Sequence, residues 1–422
     1  MSYKEFDSVI NNNKTIEKTH LLSIKIPIQC YCPEQGGRKL KMAEPVNGLE
    51  YLAQLRQKYG IKTPNYLDVS SYLEAKAQKK GVPFAGLFEL TPLCNLNCKM
   101  CYVHLTPEQL NGHSVLPVST WKDLMHQAWQ EGMFRATLTG GECLAYPGFE
   151  ELYLYLHSLG CEVKVLTNGV LLDEKRIQFF KEHRVADIQV TLYGWNDDVY
   201  ERVTGIRAFE TVSRNITKAL EAGLPVRVST TPSIYLGEDL LETIRVGKKL
   251  FNTMEFNGGI ITPREETGRS RQRDDSDLDL YIRAYRLLNE LEGHENRGIS
   301  PELLPAPGGP SHACSESGLE CAAGRSMFAI DWKGIMRGCV RLDMVLGYPL
   351  EEGFNAAWMR INQWASGFPK VPECDGCPYE DVCDNCVGDM LLCAEPGKQP
   401  IGVCERTRLL VQNGVRRMPE CE

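Results

Sequence analysis

The chain has 422 residues, of which 43% are apolar and 24% charged, enough to bury a large core in two or three domains. It holds no run of 18 or more apolar residues and no charged-then-apolar leader, so the sequence predicts neither a membrane span nor a secretory signal and points to the cytoplasm. A formal net charge of -8 argues against a protein that coats nucleic acid or anionic membrane. From the N-terminus, Leu21 to Ile28 and Lys39 to Met42 read as short strands, and Leu49 to Lys58 and Ser70 to Lys79 as helices. This α+β segment either binds a leader peptide or only covers the larger core that begins near Ala85. Cys30 and Cys32 are too few and too isolated to argue for metal.

From Ala85 the pattern alternates. Ala85 to Leu90 is a predicted strand, and Ser119 to Gly132 a helix with a serine cap and a glycine stop. Strands follow at Arg135 to Thr139, Val163 to Leu166, Ile188 to Leu192, Val226 to Thr230 and Glu255 to Ile261. Helices fall between them at Phe149 to Leu159, Asp173 to Glu182, Phe209 to Ala222 and Leu240 to Leu250. Six strands with intervening helices imply an α/β fold with parallel pairing and right-handed crossovers. Periodicity alone leaves open whether that sheet is doubly wound or curled into a barrel.

Cys94, Cys98 and Cys101 lie on one loop directly after the first strand, at C-x3-C-x2-C spacing and without a fourth cysteine. Three thiolates on a four-iron four-sulfur cluster leave one iron open to a ligand, whereas an electron-transfer cluster is normally closed by four. A zinc loop uses similar spacing and stays as the alternative. Seventeen cysteines in a long chain without an export signal fit metal ligation better than a disulfide framework.

The loop resembles the signature of the radical S-adenosylmethionine enzymes, with Met100 where the family often has an aromatic residue. The resemblance implies a partial, six-unit (β/α) barrel whose strand ends line the active site, an S-adenosylmethionine chelated by the open iron, and a 5'-deoxyadenosyl radical released on its reduction. It further implies that Gly140, Gly141 and Glu142 bind the methionyl amine, that Asn168 and Thr191 bond ribose or carboxylate, and that Met100 packs on adenine. Cys143 stands where proline is usual after that turn. Read without the resemblance, each is an ordinary turn, and Ser229 and Arg214 are weaker candidates read as structural.

The remaining cysteines form a C-terminal array: Cys314, Cys321 and Cys339, then Cys374-x2-Cys377-x5-Cys383-x2-Cys386, then Cys393, Cys404 and Cys421. The array resembles the SPASM extension of the same enzymes, including Ala322-Ala323-Gly324 and the Asp331-Trp332-Lys333-Gly334 turn. That resemblance implies two auxiliary clusters, one on Cys314, Cys321, Cys339 and Cys386 and one on Cys374, Cys377, Cys383 and Cys404, three four-iron clusters in all. Cys393 and Cys421 are left over, and a zinc ribbon is the alternative for the central run. The expected domains are 1-83, 84-300 for the radical core and 301-422 for the extension, with a boundary in the Pro- and Gly-rich Ile299 to Pro310. Before it, Arg264 to Arg273 reads as a solvated charged loop, with binding of an acidic peptide or carboxylate as the alternative.

The expected function is a maturase that abstracts a hydrogen from a peptide, in most such relatives to form a crosslink or an oxidised residue, with an electron donor such as flavodoxin or ferredoxin. Val340 and Arg341 follow Cys339 where sulfatase maturases carry an aspartate, which counts against formylglycine formation. No residue is identified as acid or base. The alternatives are a small-molecule alcohol or sugar dehydrogenase of the same chemistry, and a non-catalytic metal-binding or electron-carrier module.

Overall fold

The computed structural model describes residues 66–256, 261–269, 278–292, 317–319, 321–344, 346–383 and 386–416. The chain divides into two compact units, Met1–Thr63 and Pro64–Glu422, and only the second holds described residues. The expected N-terminal strands, the first expected helix, Cys30, Cys32, Cys314, Cys421 and Ile299 to Pro310 lie outside them.

After helix α1 (Tyr66–Lys80), five β/α repeats and a sixth strand follow in order: β1 (Ala85–Glu89), α2 (Val118–Gln130), β2 (Arg135–Thr139), α3 (Phe149–Ser158), β3 (Glu162–Thr167), α4 (Glu174–His183), β4 (Asp187–Thr191), α5 (Asp197–Thr204), α6 (Phe209–Glu221), β5 (Val226–Thr230), α7 (Asp239–Phe251) and β6 (Glu255–Phe256). All six strands pair in parallel, in the unbroken order β6-β5-β4-β3-β2-β1. A doubly wound sheet reverses its strand order at a switch point. Here the order runs one way, so the alternative falls and the six-unit barrel-type winding stands.

Side-chain alternation says which face is which. Ala136, Leu138, Val163, Val165, Ile188, Val190, Val226 and Val228 are buried in the main core, with Trp121, Leu124, Phe149, Phe180 and Ile216 of the helices. Between them Thr137, Lys164, Gln189, Thr191 and Arg227 remain partly exposed on the opposite face. Parallel strands covered on both faces are apolar throughout. These keep one polar face, the one available to a bound molecule.

The C-terminal extension joins this sheet. Its strand β7 (Met327–Ile330) pairs in parallel with β1, from Ala85↔Met327 to Phe88↔Ile330, and β8 (Met336–Arg337) returns antiparallel. The Asp331 carboxylate shapes the turn between them by accepting from the Lys333 and Ile335 N–H groups at 2.9 and 3.0 Å. Helices α8 (Leu278–Leu291), α9 (Pro349–Glu352), α10 (Phe354–Ser366), α11 (Val387–Cys393) and α12 (Ile401–Gln412) complete the described elements. Helix α10 sends Phe354 and Trp358 into the main core, 5.1 and 6.1 Å from the Phe328 ring, and the Trp358 indole donates to the Gly81 carbonyl at 2.8 Å. Among the described residues no helix is long and apolar enough to cross a membrane.

Two local readings need correction, and a third falls partly outside the described residues. Helix α2 starts at Val118 with Pro117 as its cap residue, so Ser119 lies inside the helix and caps nothing. The described part of strand six is only Glu255–Phe256, with residues 257–260 outside. Helix α5 was not foreseen, although Asn196 caps it by accepting from the Val199 N–H at 2.8 Å.

Candidate active site

The loop after β1 is held as a cradle. The Leu96 N–H donates to the Cys94 sulfur at 3.4 Å and the His104 N–H to the Cys101 sulfur at 3.3 Å. The Asn97 and Lys99 N–H groups donate to the Thr204 and Val203 carbonyls at 2.8 and 3.1 Å. Those carbonyls end helix α5 and would otherwise lack partners, so the helix that the sequence reading missed is what seats the loop. Burial pushes the Cys94 thiol up to about 12, and burial with its two neighbouring cysteines pushes Cys98 well above the thiol range. Among the described residues no three histidine, cysteine, aspartate or glutamate side chains stand at the spacing of one bound metal ion.

The Gly140-Gly141 turn is pressed against this loop's entrance. The Gly141 N–H donates to the Thr91 carbonyl at 2.6 Å and the Glu142 N–H to the Leu93 carbonyl at 3.0 Å. Gly140 has φ +142°, and a Cβ there would stand 2.4 Å from the Thr91 oxygen. A Cβ on Gly141 would stand 2.4 Å from the Leu93 oxygen. Both glycines thus let the turn pack on the backbone of Thr91 to Leu93.

Glu142 is held just as closely. Its carboxylate is buried and accepts from the Leu144 N–H at 3.0 Å, the Thr167 hydroxyl at 2.8 Å and the Asn168 N–H at 2.8 Å. Burial raises its carboxyl above the usual range against those three bonds. It ties the end of β2 to the end of β3, with two donors on Oε1 and one on Oε2. Asn168 goes on to the cysteine loop, its amide donating to Asn95 Oδ1 at 2.8 Å and to the Cys94 sulfur at 3.5 Å. The glycine turn, Glu142, Asn168 and the three cysteines thus form one connected set. Thr191 stands at the end of β4 on the partly exposed face, opposite Ser229, and Met100 is partly buried against the main core. Arg214 is exposed, whereas its neighbour Asn215 is buried and donates to the Gly169 and Val170 carbonyls at 2.9 and 3.0 Å.

The sequence reading missed the arginines. Arg264 is buried in an ion pair with Glu89 at 2.8 Å, with its guanidinium 5.4 Å from the Tyr102 ring centre. Arg269 reaches the cysteine loop itself. The segment around them had the composition of a solvated loop, and only an acidic residue closing the apolar strand β1 hinted at a buried partner. Arg271 and Arg273 lie outside the described residues.

In the extension, Cys386 lies close enough to Cys321 and Cys339 to raise both thiols further, after burial, which is the larger cause. These are three of the four cysteines expected at the first auxiliary site. The structure also brings Cys404 beside Cys377 and Cys393, while Cys374 and Cys383 share a small apolar cluster with Val371, Met390 and Val403. Cys393, left over in the sequence, is thus a neighbour of the second set. Asp389 is buried and pairs with Arg341 at 3.0 Å and Arg406 at 2.9 Å, linking the Cys339 segment to α12.

An unbroken (β/α) sheet carries three cysteines, and no fourth, on the loop after its first strand. Residues 88–249 match the radical SAM superfamily. A probable GTP 3',8-cyclase of Aeropyrum pernix is 32% identical over 50% of this chain and 67% of its own. The chain belongs to the radical SAM superfamily. It is also 24% identical, over 80% of this chain and 74% of the other, to the antilisterial bacteriocin subtilosin biosynthesis protein AlbA of Bacillus subtilis. Among solved structures, Streptococcus suis SuiB bound to S-adenosylmethionine superposes with a TM-score of 0.61 at 16% identity, over 85% of this chain and 87% of that one. The same protein bound to precursor peptide SuiA gives 0.57 at 15% identity, over 85% and 88%.

Membership implies S-adenosylmethionine and one four-iron four-sulfur cluster as cofactors. The residues present fit that cluster: three thiols on one loop, and backbone or amide N–H donors to the sulfurs of Cys94 and Cys101. Such donors stabilise thiolate charge.

Proposed function

We propose that the enzyme matures a ribosomally made peptide by removing hydrogen from one of its residues, forming a crosslink or an oxidised residue. The observation that carries this is the extent of the likeness to the bacteriocin biosynthesis protein. It runs over 360 residues, more than a core of 84–300 holds, so it reaches beyond the radical core. The likeness to the GTP cyclase covers half of the chain and leaves a small-molecule reading as the second choice.

When bound, the first cluster and S-adenosylmethionine supply the radical that takes the hydrogen. Cys94, Cys98 and Cys101 would hold that cluster, and the polar face of β2 to β5 would receive the cofactor, with Asn168 and Thr191 at its strand ends. Glu142 would keep the glycine turn in place. Cys314, Cys321, Cys339 and Cys386 would hold one auxiliary cluster, and Cys374, Cys377, Cys383 and Cys404 the other. A substrate oxidised by two electrons loses one with the hydrogen atom and needs an acceptor for the second, which fully ligated clusters provide. We assign residues 84–300 to the core and 301–422 to the extension, with flavodoxin or ferredoxin as electron donor.

The test is anaerobic incubation of the reconstituted full chain with reductant, S-adenosylmethionine and candidate precursor peptides encoded beside its gene. The expected result is 5'-deoxyadenosine together with a peptide lighter by two hydrogens. Cofactor cleavage with unchanged peptide, and turnover of a small alcohol or sugar instead, would overturn the peptide reading.

A further inference from the structure

Arg269 lies outside the cysteine loop and beyond residues 88–249, yet its guanidinium is wrapped by that loop. Its Nε donates to the Cys98 carbonyl at 3.2 Å and one terminal nitrogen to the His104 carbonyl at 2.9 Å. The other terminal nitrogen reaches Asn97 Oδ1 at 2.7 Å and His104 Nδ1 at 3.1 Å. A guanidinium only donates, so Nδ1 accepts in that contact. A rigid, permanently charged fork thus spans the loop from residue 97 to residue 104, across Cys98 and Cys101.

The segment carrying it is itself anchored. The Arg264 N–H donates to the Tyr102 carbonyl at 3.1 Å, its side chain pairs with Glu89, and the Gln109 amide donates to the Thr267 carbonyl at 3.1 Å. Arg269 is therefore held in place from both sides.

We infer that Arg269 is a positioning residue that raises the reduction potential of the cluster at Cys94, Cys98 and Cys101, by fixing a positive charge against the Cys98 side of the loop. Reduction adds one negative charge to a cluster already bound by thiolates. A fixed cation stabilises the reduced form more than the oxidised form. The inference rests on the cluster that family membership implies, and not on the peptide substrate.

The experiment is a redox titration of the reconstituted full chain, followed by electron paramagnetic resonance on the signal that changes when S-adenosylmethionine is added. That response separates the first cluster from any auxiliary ones, and reading only loaded protein makes partial loading harmless. Arg269→Gln should titrate at a lower potential than the parent. Arg269→Lys, which keeps the charge and loses the fork, should fall between the two. A parental potential in Arg269→Gln, or a drop in Arg269→Lys as large as that in Arg269→Gln, would overturn the inference. A parent without any cofactor-responsive signal would overturn the cluster assignment beneath it.

Discussion

Gly141 presses its backbone on the carbonyls that lead into the cysteine loop, so its smallness serves the packing of that loop. Gly141→Val would set a Cβ 2.4 Å from the Leu93 oxygen and 2.7 Å from the Pro92 oxygen. Both are backbone atoms that cannot swing aside. The expected outcome is lost iron at the first site, seen as a weakened cofactor-responsive signal with auxiliary iron retained. Loss of cofactor affinity alone would show that the loop adapts. Glu142 makes a different prediction through pH. Its folded carboxyl is raised, so its favourable contribution is complete below the ordinary carboxylate range and is lost as pH rises through the raised value. Urea unfolding should show the stability gap between the parent and Glu142→Gln narrowing as pH rises through that window. At this scale the motifs were legible and their partners were not. The sequence marks Gly140, Gly141 and Glu142 as special, but Thr91 to Leu93 and Thr167 to Asn168 are distant in sequence, and no local pattern records that they meet.

At the scale of elements, the strands from Arg135 to Thr139 and Val226 to Thr230 were legible to the residue, because β-branched residues alternate there between turn signals. Helix α5 was not. It is only eight residues long and follows the strand-end turn Tyr193-Gly194, where the reading stopped. The arginine segment was misread for a physical reason: composition reports charge, and a charge that is paired and buried looks the same in sequence as one in water. Arg264 supplies the test. Arg264→Leu would leave Glu89 buried without its partner, at a cost of about 3–5 kcal/mol. Thermal unfolding should show the loss, and Glu89→Leu with Arg264→Leu should recover part of it, because removing both charges removes the uncompensated one. Equal stability of the parent and the single variant would mean that Glu89 finds water or another cation.

For the whole molecule, the parallel pairing of the strands followed from alternation and connection rules, but their order and the reach of the extension did not. Residues 301-422 read as a separate module, since cysteine spacing describes ligand sets and is silent about sheets. In the structure β7 is the neighbour of β1, and Phe328 lies in the same core as Phe88, with ring centres 5.8 Å apart. A chain ending at residue 300 would leave one edge of β1 unpaired and the Phe88 side of the core uncovered. Such an edge is a template for pairing with other chains. That truncated core should elute from a sizing column as aggregate, and a stable monomer that loads iron would refute its dependence on the extension.

The pairing of β1 with β7 also puts a clock on synthesis. The partner of Phe88 is Ile330, roughly 240 residues later in the chain. At about 5–20 residues per second on the ribosome, β1 waits some ten seconds to a minute for its neighbour. During that interval the cysteine loop it carries has already emerged, next to an edge that nothing yet covers. A newborn chain therefore passes through a stage at which this loop is out before the strand that completes its sheet.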